Sequence, residues 1–252
     1  MPSFKPVVVI AGQGTGGASA RAFAKEGYSV ALIARGASGL KSLEDELKAS
    51  GAEVASFAIP SYEYSSIQTA FKSIRTRYPS PEYNLRAAIY NSAYGVWRDF
   101  LSITPEEVKG STEVHVEGAF AFAHEVITDF TKNEIDQTTG KRGILIFTGA
   151  TASIRGNTTT SAFAAGKFAM RALSQSLAKE FGKQNIHVAH AVIDGGISTP
   201  LSRSRRNDPE WEKNEDVRLN PEGIAASYIY LAKQDRSAWT WELDLRPAHE
   251  KW

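Results

Sequence analysis

Six short apolar runs alternate with segments of helical spacing, at residues 7–11, 29–34, 53–59, 85–90, 143–148 and 186–193. Runs of this length without polar alternation read as strands covered on both faces, and the intervening segments supply that cover. The alternation is that of repeated βαβ units and predicts an α/β fold built on a doubly wound parallel β-sheet flanked by helices. Helices are expected over 18–26, 39–49, 67–78, 105–130 and 160–181, the second carrying a charged Glu44-Asp45-Glu46 face and the third ending at Pro79. Another opens at Asn220-Pro221-Glu222, where asparagine caps and proline suits the first turn, and a last strand lies near 239–245. Residues 132–142 read as a surface loop. Residues 198–219, rich in arginine, proline and acid, exceed an ordinary connection and form either a solvated excursion or a substrate lid.

Composition sets the outer bounds. A chain of 252 residues, 42% hydrophobic and 23% charged, suits one globular domain over 1–252. With 29 Lys+Arg against 28 Asp+Glu, there is no bulk electrostatic case for nucleic acid or for an anionic membrane. The absence of cysteine excludes disulfides, thiolate nucleophiles and cysteine-ligated metals, and fits a reducing, cytoplasmic setting; no metal is expected. The first apolar run is too short to cross a bilayer and leads into a glycine turn rather than a cleavage site.

That turn is Gly12-Gln13-Gly14-Thr15-Gly16-Gly17, between a strand and a helix. Glycines there permit the tight turn and let the backbone approach a pyrophosphate at the helix N-terminus, which makes the expected sheet a Rossmann-type one and Gly12, Gly14, Thr15, Gly16 and Gly17 cofactor-binding candidates. At the end of the second strand an acid would bond the ribose 2′-hydroxyl of NAD, whereas this chain has Arg35, with Ser38 and Lys41 close by. An arginine at that place suits the 2′-phosphate of NADP, so NADP(H) is the expected cofactor; the alternative is a plain surface arginine.

Further motifs resemble the short-chain dehydrogenases/reductases over nearly the whole chain. Gly12, Gly16 and Ala18 are similar to the family's GxxxGxG turn, and Asn91-Ser92-Ala93-Tyr94 to its NNAG motif. Lys167 matches the active-site lysine, and Asp194-Gly195-Gly196-Ile197-Ser198-Thr199 resembles the PGxxxT segment. The resemblance implies that Asn91 and Ala93 border the adenosine site, that Lys167 bonds the nicotinamide ribose, and that Ile197 and Thr199 meet the carboxamide and a neighbouring phosphate. It also implies a small-molecule substrate and a homodimer or homotetramer paired through the helices at 105–130 and 160–181. Phe120, Phe122, Phe168 and Leu173 are apolar positions there that either face a partner or fill the core.

The departures fall on the chemistry. The family's tyrosine falls on Phe163, its serine on Ala150 and its helix-four asparagine on His115, so Lys167 alone remains of the usual tetrad. The aspartate that reads adenine after the third strand is also absent, its place falling near Pro60. A carbonyl accepting a hydride develops negative charge on oxygen, and phenylalanine cannot stabilise it with a proton. Lys167, Thr148, Thr151 and His115 are the catalytic candidates, with Tyr94 near the pocket; the alternatives are threonines satisfied by backbone and a packing or surface histidine, and Arg155 either orients an anionic or carbonyl substrate or lies on the surface. Trp97, Phe100, Trp211, Trp239 and Trp241 could wall an apolar pocket or belong to the core. The expected function is an NADP(H)-dependent oxidoreductase of a carbonyl or imine-like molecule with a non-standard site. The alternatives are a non-redox cyclase or isomerase that binds NADP(H), and a catalytically silent dinucleotide sensor.

Overall fold

The structure, a computed structural model, describes residues 4–250. Seven parallel strands form one sheet: β1 (Lys5–Ala11), β2 (Ser29–Ala34), β3 (Val54–Ala58), β4 (Tyr83–Tyr90), β5 (Gly143–Thr148), β6 (Ile186–Ile193) and β7 (Glu242–Leu245). Their order is β3-β2-β1-β4-β5-β6-β7, a doubly wound Rossmann-type sheet whose direction of winding reverses beside β1. A crevice opens where strand order reverses, outside the carboxyl ends of the strands. Ala11 pairs with Ile33 on one side and Tyr90 on the other, so Gly12 leaves the sheet level with Asn91.

Side-chain alternation divides the core. Val7 and Val9 point to a layer containing Phe71, Phe122 and Phe130, whereas Val8 and Ile10 point to one containing Phe23, Tyr228 and Leu231. The helices are α1 (Thr15–Lys25), α2 (Ala37–Ala49), α3 (Tyr64–Arg77), α4 (Pro105–Thr112), α5 (Gly118–Lys132), α6 (Ser161–Phe181), α7 (Pro200–Arg206), α8 (Pro209–Lys213) and α9 (Pro221–Lys233). No helix among the described residues is long and apolar enough to cross a membrane.

Two regions differ from the sequence expectation. The helix expected over 105–130 is interrupted by a π-helical turn at Glu113–Glu117. There the Tyr90 hydroxyl donates to the Val114 carbonyl at 2.6 Å, while the Glu113 and Glu117 carboxylates turn away to accept from the Tyr62 and Tyr64 backbone amides. A side chain inserted into the helical ladder favours such a bulge. The second region, 198–219, is largely helical. Proline stands at the start of both α7 and α8, Thr199 accepts from Ser202 N, and Asp208 accepts from Trp211 N. A single parallel bridge between Ile197 and Leu219 closes its base.

Candidate functional site

The β1–α1 turn presses against the end of β4. Gly12 adopts φ +102°, and a Cβ there would lie 2.9 Å from the Asn91 carbonyl carbon and from Ser92 N. Only glycine fits both the backbone conformation and this approach. Asn91 locks the contact, its Nδ2 donating to Gln13 O at 2.9 Å and its amide to Ala11 O at 2.8 Å. Gly14 also has positive φ, and α1 then starts at Thr15 without a side-chain cap. Gly16 packs under Ile10 and Asn91 and Gly17 against Leu43 of α2, so these two set the close approach of α1 to its neighbours.

Two cavities flank this turn. The outer one, about 580 Å³, is bordered by Gly12, Gly14, Arg35, Tyr62, Asn91, Ala93 and Thr199. The Arg35 guanidinium lies over the Tyr62 ring, 5.3 Å from its centroid. Buried Tyr62 accepts a 2.6 Å hydrogen bond from Ser92 and supplies an aromatic face two residues after Pro60.

The inner cavity, about 950 Å³, brings Thr15, Asn91, Ala93, Thr148, Thr151, Lys167, Ile197 and Thr199 together. Lys167, on α6, is 2% exposed and donates from Nζ to the Thr148 carbonyl at 2.9 Å. Burial without a carboxylate partner pulls its ammonium pKa down from 10.5 to about 7. The Thr148 hydroxyl points into the core, hydrogen-bonded to Tyr228 OH at 2.8 Å. Thr151, just after β5, donates its hydroxyl to Asp194.

His115 is the catalytic candidate that the fold keeps off the cavity wall. It is fully buried, Nε2 accepts from Tyr94 N at 3.2 Å, and Nδ1 meets Ser111 Oγ at 3.2 Å. Burial, reinforced by Lys167, lowers its pKa to about 3, so the ring is neutral at physiological pH and both nitrogens are engaged. Tyr94 packs its ring over Gly110. One wall of the cavity is apolar: Phe163 lies 5.3 Å from Trp97 between centroids and packs with Ala150 and Ala152. Of the other aromatic candidates, Phe100 is 75% exposed, Trp239 stacks on His187, Trp241 lies beside Arg171, and Trp211 borders a separate cavity beneath 198–219.

Sequence reasoning passed over Asp194. It follows β6, is 1% exposed, accepts from Thr151 and, at 3.3 Å, from Arg155, and forms an ion pair with Arg246. Its one visible signal is that a carboxylate stands where the PGxxxT pattern has proline.

Comparison with known proteins agrees with this geometry. The family model described as short chain dehydrogenase matches residues 5–210. The chain is a member of the short-chain dehydrogenase/reductase family. It is 29% identical over 240 residues to glucose 1-dehydrogenase of Gluconobacter oxydans, covering 92% of this chain and 85% of that protein. It is 28% identical over 150 residues to L-rhamnose-1-dehydrogenase of Scheffersomyces stipitis, a match that covers 57% of this chain and about half (55%) of that relative. A solved short-chain dehydrogenase from Rhodopseudomonas palustris superposes with a TM-score of 0.76 at 27% identity, over 96% of this chain and 98% of that one. Members of the family bind nicotinamide dinucleotides and act as oxidoreductases. Within this short-chain dehydrogenase/reductase, Phe163 stands four residues before Lys167 on α6.

Proposed function

We propose that the chain is an NADP(H)-dependent oxidoreductase that reduces a carbonyl or imine-like small molecule in a cytoplasmic setting, with Lys167 and Thr151 as the polar groups at the reacting end. The observation that carries this reading is the continuous run of cofactor candidates, from Arg35 past Gly12 and Gly14 to Lys167, along two cavities that share Gly14, Asn91, Ala93 and Thr199. The cradle at Gly12, which a Cβ would fill, and the uncapped start of α1 fit a pyrophosphate. Arg35 suits the 2′-phosphate, Asn91 and Ala93 the adenosine, Ile197 and Thr199 the carboxamide end, and Lys167 the ribose. Gly16 and Gly17 serve by seating α1.

A dinucleotide held there would supply the hydride. Lys167, held near pH 7 by burial, exchanges a proton at neutral pH and keeps positive charge available beside the developing oxyanion. Thr151 presents a hydroxyl fixed by Asp194, and Phe163 with Trp97 forms the apolar side. Phe120 and Phe168 remain 53% and 42% exposed on α5 and α6, whereas Phe122 and Leu173 are buried in the core, which supports a homo-oligomer paired through those helices.

The test follows NADPH absorbance with a carbonyl and imine panel, comparing wild type with Phe163→Tyr combined with Ala150→Ser. Wild-type turnover, with tighter binding of NADPH than NADH, is expected. Reduction by the double variant alone would replace this reading with the non-redox catalyst or the silent sensor.

A further inference from the structure

We infer that Arg155 is a carboxylate-recognition residue, and that the molecule taken by the inner cavity carries a carboxylate beside an apolar, preferably aromatic, body. The inference rests on the oxidoreductase reading for the reaction, but it stands on its own geometry. Arg155 lines the cavity with its side chain 35% exposed, and Asp194 is its sole hydrogen-bond or ion-pair partner through the side chain among the described residues. That contact uses one N–H, from Nη2, at 3.3 Å. A guanidinium offers five donors in a planar fork, so most of this fork is open to a ligand.

Asp194 explains why the fork is held in place. A carboxylate 1% exposed would be costly without compensation, and here Thr151 occupies Oδ1 while Arg246 occupies Oδ2. With both oxygens already engaged, Asp194 tethers Arg155 without saturating it. Arg246 also pairs with Asp244 at 2.7 Å and lies outside the cavity lining. Arg155 is the guanidinium that faces a ligand there with unused donors, alongside a Lys167 whose charge burial weakens. Glu250 also borders the cavity, but its carboxylate lies on the Gly195 side, 3.2 Å from where a Cβ of Gly195 would stand.

The opposite chemical requirement comes from the wall of Phe163 and Trp97, with Trp97 61% exposed and available to cover an apolar body. An arginine fork and an aromatic wall in one cavity select an amphipathic anion, of the kind represented by an aryl-substituted 2-oxo acid. A neutral ester of the same shape would keep the apolar contact and leave the guanidinium without its charge-assisted pair.

The experiment is calorimetric titration of benzoylformate and of its methyl ester into the full chain, each with and without NADP+. Wild type should bind the acid about 10-fold or more tightly than the ester, the range of one charge-assisted hydrogen-bonded pair. Arg155→Gln should bring the two within about twofold, and Arg155→Lys, which keeps the charge but loses the fork, should restore part of the preference. Equal wild-type binding of acid and ester, no binding of either, or a preference that survives in Arg155→Gln would overturn the proposal. Failure to bind NADP+ would sink the cofactor reading instead, because the acid-over-ester ratio is read in its absence as well.

Discussion

Removing the Lys167 ammonium gives the sharpest test of how the site is built. This amine is 2% exposed, donates to a neutral carbonyl, and otherwise faces the Phe163 ring, whose centroid is 5.8 Å away. A cation in such surroundings is poorly compensated, and burial alone accounts for the fall from 10.5 to about 7. At about 1.4 kcal/mol per pH unit, that fall corresponds to about 5 kcal/mol of stability that depends on protonation. The folded pKa lies below the unfolded one, so the unfolded chain holds the extra proton between pH 7 and 10.5. Stability contributed by this group is therefore absent below pH 7 and is gained as pH rises through that window. Lys167→Met keeps the apolar stem and removes the titration. Urea unfolding of both proteins, without nucleotide, from pH 6 to 10 isolates the group, because other titrations cancel in the difference. Wild type should be the less stable protein at pH 6 to 7 and should gain on the variant as pH rises. A difference that stays constant from pH 6 to 10 would refute the claim that burial lowers the Lys167 pKa to about 7.

Gly12→Ala should destabilise the fold by about 2 kcal/mol or more and weaken dinucleotide binding, since positive φ and contact with β4 backbone both oppose a methyl group; chemical denaturation and nucleotide titration check this. Burial lowers the pKa values of His115 to about 3 and of His187 and His190 to about 4, so the unfolded chain takes up protons first as pH falls below 6.5. Unfolding midpoints should drop from pH 7 to 4.5, less steeply in His190→Asn, and midpoints that do not move with pH would contradict the burial argument. Nitrogen-15 NMR should likewise find the His115 ring neutral at pH 5. Phe120→Lys with Phe168→Lys should give a monomer in light scattering where the wild type is the proposed homo-oligomer, while leaving the intrinsic stability of the subunit within about 1 kcal/mol, because both rings are exposed.

What the sequence disclosed was governed by local backbone demands. The bounds of β2, β5 and β6 coincide with their apolar runs because every residue in them is buried, so hydrophobicity alone marks both ends. For β7, only partly buried, the pattern fades, and the strand starts three residues later than expected. In 198–219 no amphipathic period was available, since α7 and α8 are only 7 and 5 residues long. Their starts were nonetheless written in Thr199-Pro200 and Asp208-Pro209, each a capping side chain followed by the residue suited to a first turn. The glycine turn was legible for the same reason: its φ and its clearance exclude other residues.

Electrostatic roles were hidden because they depend on burial and on residues distant in sequence. His115 has the residue type of a titrating catalyst, but a π turn and Gly166, whose Cβ would sit 2.6 Å from His115 Nδ1, place it in the interior. Thr148 and Thr151 look equivalent in the chain, yet Thr148 at the end of β5 gives its hydroxyl to Tyr228 and Thr151, in the turn after the strand, gives its own to Asp194. Asp194 draws its partners from positions 151, 155 and 246, which no local pattern could have joined. A buried carboxylate cannot be indifferent to its surroundings, so a charged residue at a motif position that normally holds proline already requires compensating donors nearby. That requirement, applied to a strand end beside a glycine-rich cradle, points to hydroxyl and guanidinium partners after the neighbouring strand, where Thr151 and Arg155 stand. The Thr151, Arg155 and Asp194 group at the β5–β6 edge and the apolar Phe163 wall therefore line one cavity, with its polar function gathered at that edge.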